Sequence, residues 1–415
     1  MRRDEVLGLS ELAGMGLGGW TRRIAEFHSG IADRAFGAVG DAGAPVRLVH
    51  DAVAGLAYGG VGAALGVGAR AAGQVATLAA DDSPLDGSPA GRRALGVLNG
   101  LYGDSVARHA PGLAIPMAVR VEGRSVPTTP GDLAAAFPDA GDRLVVLLHG
   151  LTETEASWDR GSQREDGVPG TNYGTLLQRD LGLTPVFLRY NTGLHLSDNG
   201  RLLDTLLGDL VAAWPVPVRD VVLVGHSMGG LVARAALHRA GSGTPDGRPW
   251  TTLVRDTITL GSPHLGAPLE RGAHALTGLL ARLPETRPLS RVLALRSVGI
   301  KDLRRGTLVE DDWSGRDLDA GEAAAHTHVP LSDGARHFVV LATLTRDPEA
   351  RTADLLGDLL VPPRSASGDT GDDDRLTFPP DHVTRLGGLN HFDLQSDPRV
   401  YLAIRRWLTA RDADV

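Results

Sequence analysis

Residues 221–230 read Val-Val-Leu-Val-Gly-His-Ser-Met-Gly-Gly, and this stretch decides the fold. Its first four residues form a continuous apolar run, typical of a strand buried on both faces of a parallel sheet, and a helix-forming run follows at 231–237. A Gly-x-Ser-x-Gly turn between strand and helix needs glycine on each side of the serine, because the serine backbone is strained and the neighbouring chain leaves no room for a Cβ atom. The pattern predicts that the turn presents the Ser227 hydroxyl as a nucleophile. A serine that only caps the helix is the alternative.

From residue 116 onward, short apolar runs alternate with segments of helical periodicity. This alternation is expected of a mostly parallel sheet with helices on both faces, so it predicts the α/β class. The predicted strands are residues 117–121, 144–148, 185–189, 221–224, 257–260 and 338–341. The predicted helices are residues 201–214, 231–240 and 399–408.

The predicted strand 144–148 runs into His-Gly-Leu-Thr at 149–152. The tetrahedral intermediate of an acyl transfer needs two preorganised N–H donors, one of them from the residue after the nucleophile. That residue is Met228. Gly150 permits a sharp turn that aims the following amide inward, so Leu151 is the predicted second donor. An ordinary glycine turn at the end of a strand is the alternative.

A serine needs a histidine base that is itself oriented by a carboxylate, in the chain order serine, acid, histidine. Among the 14 histidines, His391 is the candidate, because it lies in a predicted loop just before the helix 399–408. His382, nine residues earlier, is the alternative. We expect His149 to brace the loop after its strand and His226 to pack against its surroundings, and neither to serve as the base.

The acid must lie between the serine and the histidine. Asp358 stands in the turn Gly-Asp-Leu-Leu-Val-Pro at 357–362, next to apolar residues, and is the predicted triad acid. Asp347 follows the predicted strand 338–341 more closely and stays open as an alternative, with Asp354 behind both. A solvated turn or a helix cap is the ordinary role of an aspartate in such a position.

Taken together, these segments resemble the α/β-hydrolase superfamily, and within it bacterial lipases and the esterases related to the GPI inositol-deacylase (PGAP1-like) group. The matching segments are residues 149–152, 225–230, 260–268, the turn at Asp358 and 389–392. The resemblance spans about residues 116–411 and implies the α/β-hydrolase fold with a Ser227, Asp358 and His391 triad. In such lipases, a His-Gly-x oxyanion loop with a single glycine accompanies medium or long acyl chains, which implies the same substrates here.

The predicted domain organisation has two parts. Residues 1–110 form an Ala/Gly-rich helical region, and residues 111–415 form the α/β-hydrolase domain. An insertion at about 264–336 is too long for an ordinary connection between helix and strand, so it is interpreted as a helical cap. Four leucines in it share one predicted helix face and either form a lid or pack on the core. They are Leu276, Leu279, Leu280 and Leu283. Tyr190, Asn191 and His195, after the predicted strand 185–189, either shape the pocket or lie in a surface loop.

Composition excludes several other classes of protein. The chain has 415 residues with 42 Lys and Arg against 50 Asp and Glu, a formal net charge of −8, so no nucleic-acid partner is expected. Since there is no cysteine, a thiolate nucleophile, a disulfide and a cysteine-based metal site are excluded. The acidic run at Asp369 and residues 372–374 meets no ligand-spacing rule and is interpreted as a solvated turn. We expect no metal and no cofactor.

The chain starts with Met1 and two arginines, and acidic residues follow in place of the apolar run of a signal peptide, which predicts a cytoplasmic location. Residues 52–80 contain Arg70 as their only charge but are mostly Ala and Gly, so at most peripheral membrane association is expected.

The predicted function is a serine carboxylester hydrolase that acts on acyl ester or lipid substrates through an acyl-enzyme. A lipid- or membrane-associated binding protein that uses the same fold as a scaffold is the alternative from another class. An acyltransferase would use the same triad and differ only in the acceptor that enters the cleft.

Overall fold

The structure is a computed structural model. It describes residues 1–15, 67–72, 74, 76–77, 83–160, 170–242, 249–266, 297–316, 327–350, 353, 357–358, 360–369 and 376–413. The four leucines of the expected cap helix, Asp354, the acidic residues 372–374 and most of residues 52–80 lie outside these ranges.

An eight-stranded sheet forms the centre of the α/β domain. The strands are β1 (Ala118–Val121), β2 (Arg124–Val126), β3 (Arg143–Leu148), β4 (Thr184–Arg189), β5 (Asp220–His226), β6 (Val254–Leu260), β7 (Arg336–Thr343) and β8 (Val383–Gly387). Their order in the sheet is β2-β1-β4-β3-β5-β6-β7-β8. Strand β1 pairs antiparallel with β2 and β4, and all other neighbours pair in parallel.

Helices cover both faces of the sheet. From residue 89 onward, the described α-helices are α1 (Pro89–His109), α2 (Pro130–Ala136), α3 (Tyr173–Leu181), α4 (Leu196–Ala213), α5 (Met228–Ser242), α6 (Val298–Arg305), α7 (Pro363–Ala366) and α8 (Pro398–Ala413). Of these, α4 and α5 pack on one face of the sheet, and α3 and α8 pack on the other. Alternate residues of β3 point to opposite faces: Val146 packs in the cluster with α4 and α5, whereas Val145 and Leu147 pack in the cluster with α3 and α8. Each such fully buried Val or Leu contributes about 1.5–3 kcal/mol.

All six predicted strands are present, most of them one to three residues longer than expected. Two strands were not predicted, and both lack an apolar run. The three residues of β2 are exposed or half-buried, and β8 is half-buried along most of its length. The sheet contains β8 because it pairs with β7, which the sequence of β8 alone does not show. The fold class is the predicted one.

The chain divides into two compact units. One comprises Met1–Leu98, Tyr102–Ala114 and Arg271–Ser297, and the other comprises Asn99–Leu101, Ile115–Glu270 and Val298–Val415. In the first unit, residues 3–15 are helical, and the buried Glu5 carboxylate accepts the Leu85 N–H at 2.9 and 3.0 Å. This contact ties the first helix to the turn before α1. In the ranges that the structure describes, no helix has the length and apolar content to cross a membrane.

Candidate active site

The serine stands in a sharp turn between β5 and α5. Ser227 has φ of 53°, a left-handed conformation that is costly for a residue with a side chain. The turn is held because the Ser227 N–H donates to the Leu260 carbonyl at 2.8 Å. A Cβ atom at Gly225 would lie 2.3 Å from the Gly230 nitrogen, and one at Gly229 would lie 2.5 Å from the Leu148 oxygen. The glycines of the motif are therefore required by the space available.

The predicted base and acid lie side by side. His391 Nδ1 is 2.7 Å from Asp358 Oδ2, and the His391 N–H donates to the Asp358 carbonyl at 2.9 Å. The other carboxylate oxygen of Asp358 accepts the N–H groups of Leu360 and Val361 at 3.0 and 2.8 Å. Both side chains are buried, at 2% and 1% exposure. Because Nδ1 donates its hydrogen to a carboxylate, Nε2 of His391 is left as a proton acceptor.

The histidine–carboxylate pair lies against the end of β6. A Cβ atom at Gly261 would be 3.1 Å from Asp358 Oδ2 and 3.2 Å from His391 Cε1. The residue before Gly261 is Leu260, whose carbonyl holds the Ser227 N–H. The rings of His391 and His226, next to the serine, have centroids 4.8 Å apart. The structure thus brings all three predicted triad residues to the carboxyl end of the sheet.

The alternative candidates are placed elsewhere. Asp347 is exposed, and its carboxylate accepts the N–H of Glu349 at 3.0 Å. His382 directs Nδ1 at the His337 carbonyl at 3.0 Å, and its ring packs on Phe338 at 4.1 Å. His391 itself is the first residue of a 3-10 helix, His391–Gln395, and not part of a loop as expected. Its preceding residue, Asn390, caps that turn.

The loop after β3 has its backbone conformation fixed at several points. His149 stacks on Tyr190 with ring centroids 4.4 Å apart, and the Tyr190 hydroxyl donates to the His149 carbonyl at 2.6 Å. Burial lowers the pKa of His149, so the ring is neutral. Thr152 has φ of 62°, and its N–H donates to Thr192 Oγ1 at 3.1 Å. The Leu151 N–H has no hydrogen-bond partner among the described residues.

The turn after β4 connects this loop with the described part of the expected cap. Thr192 accepts the bond from Thr152, and the Gly193 carbonyl accepts the Gly299 N–H of α6 at 3.2 Å. His195 Nδ1 lies 3.0 Å from Asp302, also on α6, and the His195 ring stacks on Trp313 at 3.7 Å. The sequence allowed either a pocket or a surface-loop position for Tyr190, Asn191 and His195. In the structure, Tyr190 and Asn191 are buried and His195 is half-buried.

The α/β architecture and the serine-bearing turn after β5 can now be compared with known proteins. A PGAP1-like alpha/beta domain family matches residues 191–329 of the chain, which include β5, the Ser227 turn and β6. A strained serine between a strand and a helix of a mostly parallel sheet is the nucleophile turn of α/β hydrolases. The chain has the α/β-hydrolase fold.

Several solved structures are similar to this chain. A lipase from Bacillus licheniformis in mature form is 18% identical with a TM-score of 0.38, over 65% of this chain and 93% of its own. EstA from Clostridium botulinum is 13% identical with a TM-score of 0.37, over 65% of this chain and 87% of its own. Naproxen esterase from Bacillus subtilis is 15% identical with a TM-score of 0.34, over 65% and 84%. No curated protein matches the sequence.

Two residues of the site were missed by the sequence analysis. Glu153 is a buried carboxylate whose Oε2 accepts the Gly150 N–H at 2.8 Å and lies 3.1 Å from His226 Nδ1. Thr192 is the buried acceptor of the Thr152 N–H. Neither is part of a short motif, since Glu153 is 73 residues from His226 and Thr192 is 40 residues from Thr152. Within the described ranges, no group of three His, Asp or Glu side chains could hold a metal ion.

Proposed function

We propose that this α/β hydrolase is a serine carboxylester hydrolase of the lipase and esterase kind. The observation that carries the proposal is the buried His391–Asp358 pair, 2.7 Å apart, at the sheet edge where the strained Ser227 turn lies. An isolated serine, or an exposed histidine, would not support it. A buried carboxylate that orients an imidazole next to a nucleophile is the arrangement that activates a serine.

In the proposed acylation, His391 Nε2 takes the hydroxyl proton as Ser227 Oγ bonds to the ester carbonyl carbon. The carbonyl electron pair moves to oxygen, and Asp358 stabilises the imidazolium that forms. When the intermediate collapses, the bond to the alcohol breaks and His391 returns the proton to the leaving oxygen. Water then repeats the sequence on the acyl-enzyme, releases the carboxylic acid and restores Ser227.

Two backbone amides are proposed to hold the oxyanion. Met228 is the first residue of α5, and the first N–H groups of a helix have no acceptor within the helix. The Leu151 N–H has no partner among the described residues, whereas the next amide, that of Thr152, is occupied by Thr192. This difference favours Leu151 over its neighbour. Two such donors, preorganised where negative charge develops, stabilise the intermediate.

The proposed substrates are esters with medium or long acyl chains. This choice rests on the resemblance of residues 149–152 to lipase loops with a single glycine. Transfer of the acyl group to an alcohol would involve the same residues, so product analysis must accompany turnover.

Replacing Ser227 with alanine tests the proposal. The wild-type protein is expected to hydrolyse p-nitrophenyl esters in a series from acetate to palmitate and to be labelled by a fluorophosphonate. The variant Ser227→Ala is expected to lose both, and Ser314→Ala, which changes an exposed serine, is the matched control. A Ser227→Ala protein that keeps labelling and turnover, or a wild-type protein without either, would refute the proposal.

A further inference from the structure

Glu153 connects three segments that carry the proposed catalytic groups. Its Oε2 atom accepts the Gly150 N–H of the oxyanion loop at 2.8 Å and lies 3.1 Å from His226 Nδ1, next to the nucleophile. The same oxygen accepts Gln395 Nε2 at 3.3 Å, on the short helix that His391 begins. The side chain is 3% exposed. One carboxylate therefore contacts the loop after β3, the last residue of β5 and the short helix that begins at His391.

His226 extends this connection to the base itself. Its Nε2 lies 3.1 Å from the His391 carbonyl oxygen, while its Nδ1 faces Glu153. Both partners are acceptors, so both bonds form only when both ring nitrogens carry hydrogen. The ring is 1% exposed, and a buried polar group requires such hydrogen-bond partners.

The charge of Glu153 is maintained by its neighbours. Burial by itself raises the pKa of Glu153, but His226, Arg160 and the Gly150 N–H together outweigh burial and hold the pKa far below its usual range. Arg160 Nη1 donates to Oε1 at 2.6 Å, and its side chain is 43% exposed. The carboxylate is therefore ionised, with bonds on both oxygens.

We infer that Glu153 is a positioning residue for the proposed reaction: it fixes the oxyanion loop at Gly150 and, through His226, the backbone of His391. It touches no substrate atom in this role. The inference rests on the proposed ester hydrolysis and adds a residue to it.

Glutamine at position 153 would disturb this arrangement with little change in shape. An amide has one acceptor oxygen, whereas the Glu153 carboxylate serves donors on both of its oxygens. The amide nitrogen must then face Arg160 or the group of donors around Oε2. A donor facing a donor shifts one of the segments, and a misplaced oxyanion donor costs about 10²-fold in kcat.

Glu155 provides a matched control in the same loop. Its side chain is 10% exposed, and its carboxylate accepts Arg189 Nε and Nη2 and pairs with Arg120 at 3.4 Å. These partners lie on β4 and β1, away from Ser227. Glu155→Gln should therefore lower the melting temperature as a buried ion pair does when one charge is removed, without a specific effect on turnover.

The experiment compares Glu153→Gln, Glu155→Gln and wild type by melting temperature, fluorophosphonate titration of active protein, kcat and KM. We expect both variants to have a lower melting temperature than wild type. Glu153→Gln should lose about 10²-fold in kcat, with KM within about threefold of wild type. Glu155→Gln should keep kcat per titrated site within about threefold of wild type. Equal kcat per site in the two variants would overturn the inference.

A second variant covers the case in which Glu153→Gln does not fold. Arg160→Met keeps the stem of an exposed side chain and removes the donor that Glu153 shares with Gln395. It should therefore fold and lose several-fold in kcat at unchanged KM. A kcat equal to that of wild type would then overturn the inference. A wild-type protein that turns over no ester refutes the proposed function instead, which separates the two failures.

Discussion

Asp358→Asn should inactivate the protein by changing which nitrogen of His391 carries the hydrogen. In the structure, Oδ1 of Asp358 accepts two backbone N–H groups, from Leu360 and Val361, and Oδ2 faces His391 Nδ1 at 2.7 Å. The asparagine oxygen must occupy the first position, because an NH₂ group there would face two donors. The NH₂ group then occupies the Oδ2 position and faces Nδ1.

A donor at that position favours the tautomer in which Nδ1 is bare and Nε2 carries the hydrogen. His391 could then no longer accept the Ser227 proton. A wrong tautomer of this kind costs about 10⁴-fold in kcat, which corresponds to about 5 kcal/mol in activation free energy at about 1.4 kcal/mol per factor of ten. The two backbone bonds of the turn are kept, so the melting temperature should change little.

The assay measures kcat and KM on the best p-nitrophenyl ester, together with the melting temperature. Asp347→Asn is the matched control, because Asp347 is the exposed aspartate that the sequence left open as the triad acid. It should behave as wild type. If Asp358→Asn keeps turnover within tenfold of wild type, or if Asp347→Asn loses as much, the tautomer reasoning is refuted.

Two further predictions concern the oxyanion loop and acid sensitivity. Thr192→Val removes the acceptor of the Thr152 N–H, and an unsatisfied donor of this kind costs about 1–3 kcal/mol. We therefore expect kcat to fall about tenfold or more, measured by steady-state kinetics, and the melting temperature to drop, measured by calorimetry. Burial lowers the pKa of His149 and, with Arg234 and His337, that of His264. Below their unfolded pKa of 6.5, the unfolded chain binds more protons than the folded one. The free energy of unfolding should therefore decrease as the pH falls from 6.5 toward 5, by up to about 1.4 kcal/mol per pH unit for each histidine; equal urea midpoints at pH 7 and pH 5 would contradict this.

The sequence predicts those parts of the molecule that local rules determine. An apolar run identifies β5 because all seven of its residues are buried, and the glycines around Ser227 are spaced for a strand–helix turn. β8 cannot be predicted from an apolar run, because most of its residues are half-buried and it forms its strand hydrogen bonds with β7. The short helix at His391 does have a local signal, since Asn390 and Asp393 form a capping box.

Glu153 could not be predicted in this way, because its role depends on residues that approach only in the folded chain. His226 is 73 positions away and Gln395 is 242 positions away. A glutamate three residues after Gly150 looks like any other polar residue in a surface turn. The sequence therefore supports candidates for the groups that react, whereas the groups that position them become visible only from contacts.

Strand register explains why these loops meet. Leu148 of β3 pairs with Gly225 of β5, and His226 of β5 pairs with Leu260 of β6. The last residues of the three strands therefore lie within one residue of each other in register. The loop at 149–152, which is proposed to hold the oxyanion, the serine turn and Gly261 all follow directly after these residues, at the same edge of the sheet. A slip of one residue between β3 and β5 would turn each side chain of one strand to the opposite face and separate the loops. Both faces of the sheet are closely packed, so that slip would require repacking of both clusters. Strand register brings the loops close to one another, and hydrogen bonds such as those of Glu153 then hold them in place.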